Sequence, residues 1–135
     1  MIYRGQCQCG ATRFTVSGPI KAAWICHCSQ CRRANGSAFN IAVPVDGDRI
    51  DWIARNHVTE YESSPGKYRG FCGRCGSPLW SRRDVRPDHY RLKGGLFDAL
   101  TPERTEHIFW ADRLPWVEAM NDLSKHDAFP PDWRG

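Results

Sequence analysis

The segment Cys72-Gly73-Arg74-Cys75-Gly76 is typical of a metal-binding knuckle. Two thiolates separated by two residues can bind one ion only if the backbone turns sharply, and the two glycines permit such a turn. A second pair, in Cys7-Gln8-Cys9-Gly10, supplies two more thiolates. Four thiolates complete a tetrahedral zinc site with no open position. We therefore predict a structural zinc site that joins the N-terminus to the middle of the chain through Cys7, Cys9, Cys72 and Cys75.

Other uses of the cysteines fit the sequence less well. A redox-active Cys-x-x-Cys of the thioredoxin type would need alternating strands and helices around it, and the sequence lacks that alternation. An odd total of seven cysteines, three of them within six residues, is a poor disulfide framework. The N-terminal residues contain no apolar run of signal-peptide length, so we expect a cytoplasmic protein whose thiols stay reduced.

The remaining cysteines, Cys26, Cys28 and Cys31, predict a second zinc site of a different kind. Cys26 and Cys28 alternate along an extended segment and point to the same side, and the following turn brings Cys31 back towards them. Three thiolates leave one position for water or a substrate, as in catalytic zinc sites. A histidine from elsewhere could instead fill that position and make the site structural. The candidates are His57, His89, His107 and His126. His27, between two ligands, should point away from them.

Arg32 and Arg33 follow the last of these cysteines directly. Three thiolates and one zinc ion leave a net negative charge, and a substrate thiolate would add another. An anionic ligand would need a positive neighbour, and guanidinium groups bind carboxylates in a bidentate fork. We expect one of the two arginines to contact substrate and the other to face water. A fully solvated surface turn is the alternative.

Short runs of β-branched and aromatic residues alternate with turn signals throughout the chain, which is typical of a mainly β protein. We predict one domain over residues 1–135. Its strands are expected at 12–16, 22–26, 39–45, 58–61, 67–71, 79–81, 89–93 and 107–110. Helical signals occur only at 30–34 and 115–122. Pro44 indicates an edge or a bend, because proline donates no ladder hydrogen bond. The expected core aromatic residues are Trp24, Phe39, Trp80, Phe109 and Trp116.

The formal net charge of +4 counts the cysteines as neutral. Ligation removes their protons, so seven thiolates and two zinc ions would bring the total to about +1. No run of five or more Lys or Arg is present, so we predict no nucleic-acid partner. No stretch is long and apolar enough for a membrane span, and no pattern indicates the oligomeric state.

Together these motifs resemble the family of glutathione-dependent formaldehyde-activating enzymes (GFA), which also includes centromere protein V and its relatives. The matching features are Gly5-x-Cys7-x-Cys9-Gly10, Cys26-His27-Cys28-x-x-Cys31-Arg32-Arg33 with Gly36, and Phe71-Cys72-x-x-Cys75-Gly76-x-Pro78. The later segment His107-Ile108-Phe109, followed by Trp116, is also similar. The resemblance implies a zinc-stabilised β-tent of short antiparallel strands with two zinc ions per chain.

The resemblance also implies an activity. It matches Cys7, Cys9, Cys72 and Cys75 to the structural zinc, and Cys26, Cys28 and Cys31 to the catalytic zinc. The implied enzyme is a carbon–sulfur lyase that adds the thiol of glutathione reversibly to formaldehyde, giving S-hydroxymethylglutathione. No general base is assigned. Two alternatives stay open: the same zinc chemistry on another thiol or carbonyl compound, and a non-catalytic zinc-binding interaction module.

Overall fold

The computed structural model describes all 135 residues and has a mainly β fold, as predicted. It contains one α-helix, α1 (Ser29–Asn35), and four 3₁₀ segments, the longest at Pro115–Asp122. The ten strands are β1 (Ile2–Gln6), β2 (Thr12–Ser17), β3 (Ala23–Cys26), β4 (Asn40–Asp46), β5 (Ile50–Arg55), β6 (Val58–Ser64), β7 (Lys67–Cys72), β8 (Pro78–Arg83), β9 (Arg86–Lys93) and β10 (Thr105–Ile108). None of the helices is long and apolar enough to cross a membrane.

The strands form two sheets. Three strands pair in the order β1-β2-β5, and seven pair in the order β10-β3-β4-β9-β8-β7-β6. All neighbouring strands are antiparallel except β10 and β3, which are parallel. The prediction of antiparallel strands is wrong for this pair, because β10 reaches β3 through a long crossover and not through a hairpin.

The hydrophobic core includes residues from both sheets. Phe14 and Val16 of β2 are almost fully buried, and so is Leu92 of β9 in the larger sheet. Trp80 of β8 stands opposite Leu92 and was correctly predicted as a core residue. A Cβ atom at Gly70 of β7 would lie 2.4 Å from the Trp80 ring, so only glycine fits beneath that ring.

Pro44 lies in β4, between β3 and β9 in the sheet order. The pairing of β4 with β3 ends at Ala42, two residues before Pro44. Opposite Arg91, Pro44 therefore has β9 as its only neighbour. This placement agrees with the expected local edge, where a missing backbone N–H is tolerated.

Candidate active site

The structure brings the four cysteines of the two separated pairs together. The sulfurs of Cys7, Cys9, Cys72 and Cys75 lie within 4.8 Å of one another. The Cys9 sulfur is 3.6 Å from that of Cys7 and 3.8 Å from that of Cys72. These separations are far longer than a disulfide bond of about 2.05 Å. The group, here called the closed cysteine group, could hold a metal ion.

Local turns and hydrogen bonds shape this group. Gly76 has a φ of 79°, and its N–H donates to the carbonyl of Cys72 at 2.7 Å. The Thr12 N–H lies 3.3 Å from the Cys7 sulfur, where it favours a thiolate. Hydrogen bonds from the hydroxyl and backbone of Ser77 lower the pKa of the Cys75 thiol to about 5. The surroundings therefore favour negatively charged sulfur at two of the four positions.

The sulfurs of Cys26, Cys28 and Cys31 form a second group, also within 4.8 Å of one another. Cys26 ends β3, Cys28 is the N-cap of α1, and Cys31 lies in the first turn of that helix. The Cys31 N–H donates to the Cys28 sulfur at 3.4 Å. Burial and the neighbouring thiols raise the pKa of Cys26 to about 12. Without a metal ion Cys26 would therefore stay neutral at pH 7.

No histidine belongs to this three-cysteine group. Nδ1 of His107 lies 2.8 Å from Nε2 of His27, and Nδ1 of His89 lies 2.7 Å from a carboxylate oxygen of Asp46. His27 is completely buried, and its ring packs against His107 and Phe39. The group whose ligand atoms lie within 4.8 Å of one another therefore consists of the three sulfurs alone.

A cavity of about 490 Å³ opens beside the three-cysteine group and is lined by all three cysteines. Lys67, Arg83 and Arg91 also line it, and Asp112 is its only acidic residue. Strand pairing explains the cations. Lys67 of β7 stands opposite Arg83 of β8, and Arg91 of β9 stands opposite the β8 residue Ser81. Because opposite and alternate residues share one face of a sheet, all these side chains face the cavity.

Comparison with known proteins agrees with this geometry. Residues 2–112 match the family model described as "Glutathione-dependent formaldehyde-activating enzyme". The chain belongs to this family. A GFA relative from Halomonas elongata, named "Putative glutathione-dependent formaldehyde-activating enzyme", is 32% identical over 128 residues, covering 87% of this chain and 81% of its own.

A crystal structure of a Rhodobacter sphaeroides protein has a similar fold. It superposes with a TM-score of 0.60 and 22% sequence identity, over 76% of this chain and 99% of that one. At this level of identity the likeness concerns the fold alone. The chain thus combines a GFA sequence with a fold that a solved structure also adopts.

Within this GFA fold, Arg32 and Arg33 do not line the cavity. Arg32 donates from Nε to the carbonyl of His27 at 3.3 Å, and Arg33 is exposed on α1. The cations of the cavity come from distant strands instead. Lys67 and Arg91 each belong to an alternating basic pair, at 67 and 69 and at 91 and 93, which places each pair on one face of a strand, whereas Arg83 has no such signal.

Of the five aromatic residues that the sequence places in the core, only Trp80 belongs to it; Trp24 and Phe39 are partly buried outside the core, and two are exposed. Phe109 is 61% exposed and lines the cavity, and Trp116 is 52% exposed on the 3₁₀ segment. Phe109 has left-handed backbone angles, φ 53° and ψ 41°, which a bulky residue adopts at a cost. This turn directs the chain away from β10, so the ring points outwards. Trp24 also lines the cavity and is partly buried.

Proposed function

We propose that the protein is a zinc-dependent carbon–sulfur lyase that adds the thiol of glutathione reversibly to formaldehyde, giving S-hydroxymethylglutathione. The main support is the three-cysteine group that opens onto a cavity lined by cations. Both the family and the Halomonas relative are named for glutathione and formaldehyde, which supports these two substrates.

The cysteine geometry fits zinc. A tetrahedral zinc ion with bonds of about 2.3 Å holds its sulfurs about 3.8 Å apart. The two separations within the closed cysteine group are 3.6 and 3.8 Å. We propose that Cys7, Cys9, Cys72 and Cys75 hold a structural zinc. Cys26, Cys28 and Cys31 would hold a second ion and leave one position open towards the cavity.

The chain's own residues would bind and orient the substrates. Zinc, when bound, stabilises a ligating thiol as thiolate and can polarise a carbonyl oxygen. Lys67, Arg83 and Arg91 would bind the carboxylates of glutathione and direct its sulfur towards the cysteines. A carbon–sulfur bond then forms as the carbonyl π electrons move to oxygen. The oxygen takes up a proton, which balances the one lost by the thiol.

Titration calorimetry of glutathione into zinc-loaded protein tests this proposal. We expect saturable binding with a Kd of about 1 μM to 1 mM, within the usual KM range of enzymes. S-methylglutathione is the matched control, because it keeps the carboxylates but cannot supply a thiolate, and it should bind at least about tenfold more weakly. NMR exchange should show faster formation of S-hydroxymethylglutathione than in buffer. Equal binding of both ligands would remove the thiol from the site.

Phe109 provides a second prediction. Phe109→Gly should raise the free energy of unfolding by about 1 kcal/mol, because glycine tolerates the left-handed conformation. Phe109→Ala removes the same ring but keeps the strained backbone, so it should not be stabilised. Both variants should bind glutathione a few-fold more weakly, since each loses the aromatic wall. Thermal unfolding and calorimetry measure both effects, and equal stabilisation of the two variants would contradict the strain argument.

A further inference from the structure

Arg69 carries a buried positive charge that no negatively charged side chain pairs with. It lies on β7 and is 5% exposed. Its terminal nitrogens Nη1 and Nη2 are buried and have no hydrogen-bond partner. A buried charge without a counter-charge is strongly destabilising. None of the six ion pairs of the chain involves Arg69. The missing anion must therefore be of another kind.

The three-cysteine group is a source of such an anion on the same face of the sheet, because Arg69 stands opposite Ser81, which lines the cavity of the three cysteines. Arg69 and Ala34 line the same small cavity of about 120 Å³. Ala34 lies three residues after Cys31 on α1, so the two share one face of the helix. The guanidinium group thus lies on the side of α1 that carries Cys31.

Lys93 is a second buried cation at the same place. It is 8% exposed, lines the same small cavity, and donates from Nζ to the side-chain oxygen of Asn40 at 3.0 Å. Asn40 stands opposite Cys26 in the sheet. The residues that line this small cavity include no acidic group. The small cavity therefore holds two cations and no carboxylate, and Asn40 links Lys93 to the strand that ends at Cys26.

We propose that Arg69, assisted by Lys93, is a positioning residue that balances the charge of the metal centre and favours a fourth, anionic sulfur ligand. A divalent ion on three thiolates has one net negative charge, which Arg69 and Lys93 outweigh together with the cations of the larger cavity. An incoming thiolate reduces this positive excess, whereas a neutral ligand leaves it unchanged. The inference rests on the second metal site of the proposed function, but not on glutathione as the thiol.

The test uses cobalt-substituted protein and 2-mercaptoethanol, a thiol without a carboxylate. Binding of its thiolate is followed by the sulfur-to-cobalt charge-transfer absorption. Arg69→Met should weaken this binding by about 10–100-fold, as is usual when a group that supports metal ligands is lost. Arg69→Lys keeps the charge and should recover part of the affinity. The control Arg86→Met removes an exposed arginine of the same sheet and should change the affinity less than about threefold.

Two results of this binding experiment would contradict the proposal. Wild-type affinity in Arg69→Met, or an equal loss in Arg86→Met, would overturn the proposal. A buried charge replaced by an apolar side chain is often tolerated, so Arg69→Met should fold. If it does not, Lys93→Met carries the same expectation of a loss and the same contradicting outcome. Because the probe is not glutathione, a wild-type protein that binds mercaptoethanol but does not accelerate the glutathione reaction would refute the proposed substrate and leave this inference standing.

Discussion

Replacing Cys72 with serine is expected to unfold the protein at temperatures at which the wild type is folded. Cys72 is fully buried at the end of β7 in the larger sheet, and Cys7 follows β1 in the smaller sheet. A metal ion in the closed cysteine group would therefore tie the two sheets together across more than sixty residues. Structural zinc contributes about 10–16 kcal/mol in small domains, comparable to the whole stability of a protein.

Thermal unfolding together with metal analysis measures this effect. We expect the melting temperature of Cys72→Ser to fall by about 20 °C or more, because each kcal/mol corresponds to roughly 2–8 °C at this size. One bound metal ion per chain should be lost. The control is Ser77→Ala, whose hydroxyl lies 3.2 Å from the Cys75 sulfur but is not among the proposed ligands. It should cost about 1 kcal/mol. If Cys72→Ser melted close to the wild type, the closed group would not hold the fold together.

The grouping of the cysteines could be predicted because much of the information is local. Cys26, Cys28 and Cys31 lie within six residues, so a single turn and the start of α1 suffice to bring them together. The turns at the paired cysteines are likewise indicated by glycines next to them in the sequence. Eight strands were also predicted within three residues at each end, since their alternating patterns are local signals.

The pairing of strands is not local, and there the sequence is less informative. β1 contains Arg4 and Gly5, which are poor strand signals, yet it is a strand because it pairs with β2 along its whole length. β5 was also missed, although its isoleucines and tryptophan favour a strand. The cationic cavity depends on the register of three strands, whereas Arg32 and Arg33 were chosen for their nearness in sequence. Which basic residues lie near the cysteines in space can be predicted only when the order of the strands in the sheet is known.

Cys31→Ser should have the opposite pattern to Cys72→Ser: the fold survives and the proposed reaction is lost. The three-cysteine group spans only six residues, so a metal there closes a short loop and restrains the unfolded chain little. We expect a loss of about 1–3 kcal/mol in stability, the usual cost of leaving a buried polar group unpaired. A neutral serine hydroxyl replaces the thiolate ligand, so the second metal ion should be lost or held weakly.

Turnover measured by NMR exchange should fall to the rate without protein, while the metal count drops by one and the melting temperature falls by about 4–12 °C, at roughly 4 °C per kcal/mol. Ser29→Ala is the matched control, because Ser29 lines the same cavity and begins α1 but is not a proposed ligand. It should keep both metal ions and most of the activity. Unchanged turnover in Cys31→Ser would refute catalysis at this site. If Cys31→Ser unfolded instead, both cysteine groups would be structural. The two groups have different functions only if Cys72→Ser loses stability while Cys31→Ser loses turnover and keeps its fold.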